Sequence, residues 1–226
     1  MRGPCNVMDE RSRLGCPAGM DTPMSRTLKS GEFGGGSMGR AFRHLFAQLA
    51  WFLLVVSTIA CAQEGIDLNG QAVNPLARDS GKIVVLVFLR RDCPVSSRYA
   101  PSIQLISERY ADRARFWLVY PDKSEAVSAI RKSVEDYRYH LPALRDPDHA
   151  LVKISHVQIT PEVAVFDRDR HLIYDGRIDD WYVDLGRARP EPTTHELEQA
   201  IRAAAAGHTI AHKEVRGVGC YISDLE

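Results

Sequence analysis

The feature that most constrains the fold is the apolar run at residues 83–89 (IVVLVFL), which ends at the polar segment RRDCPVS. A continuous apolar run with polar residues after it is typical of a strand buried on both faces of a sheet. Pro94 suits the first position of a helix, because its φ is already set and its missing N–H would have no partner there. The apolar residues that then recur at helical spacing are Tyr99, Ile103, Ile106 and Tyr110. The pattern predicts a buried strand followed by a helix, with Cys93 at the turn between them.

Cys93 is therefore expected at the start of a helix. A sulfur in that position lies near unpaired backbone N–H groups and the positive end of the helix dipole, and both favour the thiolate. The neighbouring charges oppose one another, because Arg90, Arg91 and Arg98 would stabilise a thiolate whereas Asp92 would destabilise it. The sequence predicts a nucleophilic Cys93 and leaves open the direction in which its pKa is shifted.

Two further motifs complete this pattern. Pro101 lies within the helix that Cys93 begins, and residues 157–167 (VQITPEVAVFD) place a Thr-Pro pair before another apolar strand. Over roughly residues 65–207 the chain resembles the redoxin branch of the thioredoxin-like superfamily. That branch includes alkyl hydroperoxide reductase/thiol-specific antioxidant proteins and thiol-disulfide interchange proteins. The resemblance implies an α/β fold, a thioredoxin-like three-layer sandwich with a central mixed β-sheet and helices on both faces.

The resemblance also assigns roles to the Thr-Pro pair. It implies a cis peptide bond before Pro161, with the proline packed beside the reactive sulfur. In such proteins the backbone of the preceding residue, here Thr160, pairs with a bound thiol substrate. The catalytic residues expected on this basis are Cys93, Thr160 and Pro161, and Cys220 is expected to join them as a second thiol. Arg98, Ser96 and Asp92 are expected to bind substrate around the sulfur.

Patterns elsewhere in the chain predict the remaining elements. We expect a short strand and turn at residues 66–70, strands at residues 115–120, 163–167 and 171–177, the last two forming an antiparallel hairpin, and a helix over residues 123–139. Asp148 is the expected N-cap of a short helix. Thr193 and Glu196 have the spacing of a capping box for a last helix that Gly207 closes.

The N-terminal part of the chain has a different character. Residues 1–37 are rich in Gly, Arg and Ser without apolar periodicity, which predicts disorder or an upstream segment outside the protein, with Met38 favoured over Met1 as the start. Residues 38–62 have a basic start, a short apolar middle and small residues at the end, as in a secretory signal peptide. Residues 63–207 form the predicted redoxin domain, and residues 208–226 form a C-terminal tail that carries Cys220.

The exported domain is expected in the periplasm or cell envelope of a bacterium. Cleavage after Ala62 is the favoured outcome, and lipidation of Cys61, which would anchor the protein to a membrane, is the alternative. An uncleaved membrane anchor is a third possibility. Simple cleavage leaves Cys93 and Cys220 as the two cysteines, in a compartment that permits disulfides.

Departures from the family patterns bear on the reaction. Thioredoxin-type exchange uses Cys-x-x-Cys, but Ser96 stands at the second position, and a hydroxyl does not resolve a mixed disulfide. Cys220 is then the internal candidate for resolution. Peroxiredoxins carry Pro-x-x-x-Thr-x-x-Cys, and Leu86 and Arg90 occupy the proline and threonine positions here. The peroxide-binding pattern is therefore absent.

The leading hypothesis is an extracytoplasmic thiol-disulfide oxidoreductase in which Cys93 attacks and Cys220 resolves. The alternatives are a thiol peroxidase with antioxidant activity and a non-enzymatic copper-binding or partner-docking module. Expected partners are protein or small-molecule thiols and disulfides, with peroxides as the alternative. The chain has 29 basic and 29 acidic residues, which gives no reason to expect nucleic acid. No cofactor is expected, and the histidines lack zinc-ligand spacing, so no metal is expected either.

Export generates the first prediction. Intact-mass analysis of the protein isolated from a bacterial envelope should show a mature chain that begins at Gln63, or at a lipidated Cys61 under the alternative. A mature protein that retains residues 38–60 would contradict both forms of processing.

Overall fold

The predicted buried strand lies at the centre of an eight-stranded mixed sheet, and every residue from Ile83 to Phe88 is buried. The computed structural model describes residues 64–78, 81–208, 213–223 and 225. The predicted upstream segment, the signal peptide and Cys61 lie outside these residues.

The described residues form twelve strands and four helices. The strands are β1 (Gly65–Asp67), β2 (Ala72–Val73), β3 (Ile83–Phe88), β4 (Ala114–Tyr120), β5 (Ala143–Arg145), β6 (Ile159–Thr160), β7 (Glu162–Phe166), β8 (Leu172–Gly176), β9 (Tyr182–Asp184), β10 (Arg187–Ala188), β11 (Lys213–Val215) and β12 (Cys220–Tyr221). The helices are α1 (Pro94–Arg109), α2 (Val127–Asp136), α3 (Ala150–Ser155) and α4 (Glu196–Ala205).

The main sheet has the strand order β11-β8-β7-β3-β4-β5-β1-β2. β3 is parallel to β4 and antiparallel to β7, and β7 forms the predicted antiparallel hairpin with β8. Two short pairs, β10-β9 and β12-β6, lie outside the main sheet. The strands are therefore mixed in direction, as expected.

Alternation along β3 produces the layers. Successive side chains of a strand point to opposite faces of the sheet. Ile83, Val85 and Val87 belong to a core that includes apolar side chains of α1, α2 and α4, whereas the residues between them belong to a second core that includes Leu151 and Val152 of α3. Helices thus cover both faces, and the three-layer α/β sandwich is confirmed.

The helix predicted over residues 123–139 is shorter in the structure. α2 begins at Val127 because the Asp122 carboxylate accepts hydrogen bonds from the backbone N–H of Ser124, at 2.8 Å, and from its hydroxyl, at 2.6 Å. These bonds hold the preceding residues in a turn. The helix ends at Asp136, and Arg138 shortly after it has a φ of 54°. Local side-chain bonds thus replaced a helical turn at the start.

Asp148 is not the N-cap of α3, so that expectation is wrong. His149 occupies the cap position with a φ of 55°, in the left-handed region. Asp146 provides the carboxylate instead, accepting the Val152 N–H at 2.9 Å from six residues earlier in the chain. A left-handed residue before the helix turns the chain so that the more distant aspartate reaches the free N–H groups.

The capping box predicted for α4 is also wrong. The N-cap of α4 is His195, and the Thr193 hydroxyl donates to the Asp180 carboxylate. Glu196 accepts hydrogen bonds from the Arg177 guanidinium, with Nε–Oε1 at 3.1 Å. Both residues of the predicted box therefore bind partners in the preceding loop. Gly207 follows the helix with a φ of 72°, as expected for a closing glycine.

The tail contributes an edge strand to the main sheet. β11 pairs in parallel with β8, with Val215 opposite Gly176, and the Arg177 N–H donates to the Val215 carbonyl at 2.8 Å. Gly176 has a φ of 131°, and a Cβ added there would overlap the Val215 carbonyl. Glycine is therefore needed at this position for both reasons. Across the described part of the chain, no helix combines the length and apolar character needed to cross a membrane.

The close approach of β11 to β8 generates the second prediction. Gly176→Ala should lower the free energy of unfolding by about 1–3 kcal/mol, because alanine disfavours this φ and its Cβ displaces β11. Gly217→Ala, in the tail that also carries β11, is the matched control. A Cβ at Gly217 meets its neighbours at ordinary contact distances of 3.4 Å and beyond. Urea unfolding followed by circular dichroism measures both. Equal stability of the two variants would contradict the close approach of β11 to Gly176 of β8.

Candidate thiol site

The end of β3 and the start of α1 position Cys93. It is the N-cap of α1, is followed by Pro94, and has no exposed surface (0%). Its Sγ lies 3.2 Å from the Thr160 carbonyl oxygen, to which the thiol donates when protonated. The peptide bond between Thr160 and Pro161 is cis, as the resemblance implies. The structure thus brings together residues from the two motifs that the sequence singled out.

The tail places Cys220 at the same point. β12 pairs antiparallel with β6, with Cys220 directly opposite Thr160. The Thr160 hydroxyl donates to the Cys220 carbonyl oxygen at 3.4 Å. Both cysteines are free thiols. Two cysteines that are far apart in the sequence therefore both lie beside Thr160 and the cis bond.

Gly219 permits this close approach. A Cβ added at Gly219 would overlap the carbonyl of Thr160 and would also lie 3.2 Å from the nitrogen of Pro161. The absence of a side chain at this position lets one strand lie against the backbone of another.

Hydrogen bonds fix the tail on both sides of Cys220. Before it, the Gly217 N–H donates to the Glu162 carboxylate at 3.0 Å. After it, the Ile222 N–H donates to the Gln158 carbonyl at 2.9 Å, and the Ile222 side chain is buried in the core on the α3 face. Arg90 also donates to the Tyr221 carbonyl at 3.5 Å. The segment around Cys220 is therefore held against the domain at several points.

Glu162 is the anchoring residue that sequence reasoning missed. Its buried carboxylate accepts N–H groups from Gly217, Gln158 and Ile159. Burial raises the pKa of Glu162, although these backbone hydrogen bonds oppose the rise. No local pattern distinguishes a glutamate after a proline from an exposed strand residue, because two of the three groups that it binds belong to the preceding loop and one to the tail.

The two thiols have opposite pKa shifts. Burial acts to raise the pKa of Cys93, but hydrogen bonds from the Cys220 thiol and from the backbone and hydroxyl of Ser96 outweigh burial and lower it. Burial, reinforced by donation of its proton to Cys93, raises the pKa of Cys220 to about 12. Of the pair, Cys93 is therefore the sulfur that ionises first.

Ser96 and Ser97 differ in what their hydroxyls contact. Ser96 is buried, and its Oγ has no hydrogen-bond partner among the residues that the structure describes. It is available to donate to a Cys93 thiolate, which is how it lowers the pKa. The Ser97 hydroxyl instead donates to the Cys93 carbonyl oxygen at 3.3 Å. Ser96 therefore acts on the sulfur, and Ser97 acts on the backbone.

The contacts of Arg98 and Asp92 lie with other residues. The Arg98 guanidinium stacks over the Trp181 ring at 5.6 Å, a cation–π contact. Asp92 pairs with Arg90 at 2.8 Å, and its side chain is 56% exposed. The part of these residues in substrate binding stays a prediction.

A buried acid orients the loop that carries Trp181. The Tyr99 hydroxyl donates to the Asp179 carboxylate at 2.5 Å, and the backbone N–H of Trp181 donates to the same carboxylate at 2.9 Å. Burial raises the pKa of Asp179. The Trp181 ring meets the edge of the Tyr99 ring at 5.4 Å, so the loop is attached to α1. Within the residues that the structure describes, no group of three or more His, Cys, Asp or Glu side chains is arranged to hold a metal ion.

A mixed sheet covered by helices, with a cysteine capping α1 beside a cis X-Pro bond, defines a thioredoxin-like protein with a thiol site. The Redoxin family profile matches residues 57–181, more than half of the chain, and the chain belongs to that family. Membership supports a thioredoxin-like redox function with thiols or disulfides as its chemical partners. No curated protein has a significant sequence match to the chain.

Solved structures share the fold at low sequence identity. An uncharacterized conserved protein from Geobacillus kaustophilus is 21% identical with a TM-score of 0.60, over 70% of this chain and 86% of its own. A hypothetical protein from Sinorhizobium meliloti is 21% identical with a TM-score of 0.59, over 70% and 88%. An uncharacterized thioredoxin-like protein from Porphyromonas gingivalis is 18% identical with a TM-score of 0.50, over 67% and 95%. The likeness confirms the thioredoxin-like fold.

The Ser96 hydroxyl generates the third prediction. Ser96→Ala should raise the pKa of Cys93, because it removes one donor to the thiolate while keeping the backbone N–H. The thiolate would then disappear at a higher pH as acid is added, and the thiolate fraction at neutral pH would fall.

Thiolate absorbance titrated against pH measures this shift, since Cys220 titrates far above, near 12. Ser97→Ala is the control, because that hydroxyl contacts the carbonyl and not the sulfur. An upward shift in Ser97→Ala, or none in Ser96→Ala, would contradict the assignment of the donor.

Proposed function

We propose that this protein is an extracytoplasmic thiol-disulfide oxidoreductase that cycles between a Cys93/Cys220 dithiol and a Cys93–Cys220 disulfide. The observation that carries the proposal is the pairing of β12 with β6, which puts Cys220 opposite Thr160, whose carbonyl oxygen lies 3.2 Å from the Cys93 sulfur. A disulfide needs the two Cα atoms within about 7 Å of each other, and this arrangement favours such an approach. Membership of the Redoxin family supports the redox chemistry, and the position of Cys220 opposite Thr160 supports its pairing with Cys93.

The pKa shifts favour this chemistry. Exchange between the two sulfurs needs a thiolate, and Cys93 is the sulfur whose pKa is lowered. Ser96 occupies the usual place of the second cysteine but has no sulfur to offer. Cys220, in the C-terminal tail, is the second thiol of the couple. One turn of the cycle moves two electrons, which a substrate disulfide receives when the dithiol closes.

The signal-peptide pattern of residues 38–62 supports the extracytoplasmic location. Structural and catalytic disulfides persist outside the cytoplasm, where cytosolic reductants do not act. A redox pair that includes a disulfide state suits that compartment.

The fourth prediction tests the couple. After mild oxidation with glutathione disulfide, non-reducing peptide mapping should find Cys93 linked to Cys220. Cys93→Ser and Cys220→Ser should each abolish catalytic reduction of glutathione disulfide by dithiothreitol, because each leaves one half of the couple.

Circular dichroism of the two variants checks that they keep the fold. Two separately capped thiols in the oxidised wild-type protein would overturn the proposal, as would full turnover by either variant. Rapid consumption of hydrogen peroxide together with slow exchange with disulfides would point to the peroxidase alternative.

A further inference from the structure

The two cysteines of the proposed couple differ in accessibility. Cys93 has no exposed surface, whereas Cys220 is partly exposed. The Cys93 sulfur lies beside the Thr160 carbonyl, and Thr160 pairs with Cys220 of β12. In a fold where the helix-capping cysteine is the reactive one, the cysteine that solvent can reach is the other one.

We propose that external thiols and disulfides exchange at Cys220, and that Cys93 is the internal thiol that leaves from Cys220 and returns to it. This inference rests on the proposed function, because it assigns roles within the same couple. It reverses the order expected from the sequence, in which Cys93 attacks the substrate and Cys220 resolves.

Reaching Cys93 directly would require the tail to move. The Gly217 bond to Glu162, the Ile222 bond to Gln158 and the burial of Ile222 would all have to be given up. Each of these hydrogen bonds and the burial of the isoleucine side chain stabilise the tail in this position. Exchange at Cys220 needs none of these losses.

The pKa values favour the same order. In exchange, the sulfur of lower pKa leaves faster from a disulfide. Cys93 has the lowered pKa, so it is the better leaving group when an external thiolate attacks Cys220. Attack on Cys93 would instead expel Cys220, whose pKa is about 12. For the opening of the internal disulfide, access and leaving-group chemistry therefore select the same sulfur.

Reduction of the couple then takes two steps. An external thiolate attacks Cys220 Sγ, a new S–S bond forms, and the bond to Cys93 breaks with its electron pair leaving on Cys93 as a thiolate. A second external thiolate attacks the external sulfur of this mixed disulfide. The external disulfide is released, and Cys220 leaves as a thiolate that takes a proton from solvent. Two external thiols are oxidised, and the couple gains two electrons.

Oxidation by a substrate disulfide is the reverse. Cys220 gives its proton to solvent, and its thiolate attacks the substrate disulfide and expels one substrate thiolate. The Cys93 thiolate then attacks Cys220 Sγ and expels the second substrate thiolate, which closes the internal disulfide.

The fifth prediction compares the two single-cysteine variants of the mature protein. In Cys93→Ser the remaining Cys220 should form a mixed disulfide with glutathione disulfide about tenfold faster than the remaining Cys93 in Cys220→Ser, because access limits the buried thiol. Mass spectrometry over time measures both rates. In urea the order should be lost, since unfolding exposes both sulfurs, and this checks that the native fold sets the difference.

A matched pair of glycine variants, each added to Cys220→Ser, tests the cover itself. Gly219→Ala should speed glutathione addition to Cys93, because the added Cβ overlaps the Thr160 carbonyl and displaces β12. Gly217→Ala should leave the rate unchanged, because its Cβ meets neighbours at 3.4 Å and beyond. Equal rates in both would overturn the shielding by the tail.

The failures of the two proposals are distinguishable. If the wild-type protein forms the Cys93–Cys220 disulfide but glutathione adds faster to Cys93 than to Cys220, the order of exchange inferred here is wrong and the couple stands. If the disulfide never forms, the couple itself fails, and the inference fails with it.

Discussion

The pairing of β12 with β6 beside Cys93 is the contact on which the rest of the site depends. It places Cys220 opposite Thr160, whose carbonyl oxygen lies 3.2 Å from the buried Cys93 sulfur, and the two thiols have opposite pKa shifts. Under the order of exchange that we propose, this strand also covers Cys93. A short strand therefore contributes to the chemistry of both thiols.

This pairing is possible because several weak features coincide. Gly219 lacks the Cβ that would strike the Thr160 carbonyl, and Glu162 offers a carboxylate to the tail N–H of Gly217. N–H donors from the residues before Pro161 and from the tail oppose the cost of burying that carboxylate. The carboxylate and the tail therefore stabilise each other. β11 reaches the sheet only where Gly176 leaves room. Small residues thus allow the tail to wrap around a site that the central strand and first helix build.

Local patterns predicted the parts of the fold that local forces dominate. The β3–α1 unit, the hairpin of β7 and β8, and the layers follow from apolar periodicity, which reports burial directly. The helix starts were predicted less well, because the carboxylates of Asp122, Asp146 and Asp180 accept hydrogen bonds that helix propensity does not predict. A cap depends on which backbone groups are free in three dimensions, and several side chains compete for them.

By itself, the sequence determined that Cys93 begins a helix after a buried strand, that Ser96 cannot act as its partner, and that a Thr-Pro pair precedes another strand. Only the tertiary structure decided the sign of the Cys93 pKa shift, because burial and donors act through space from residues as distant as Cys220. The nearby arginines and aspartate named by the sequence were a poor guide, since Arg98 stacks on Trp181 and Asp92 pairs with Arg90. The structure likewise decided which cysteine is exposed to solvent, because exposure depends on how distant parts of the chain pack together.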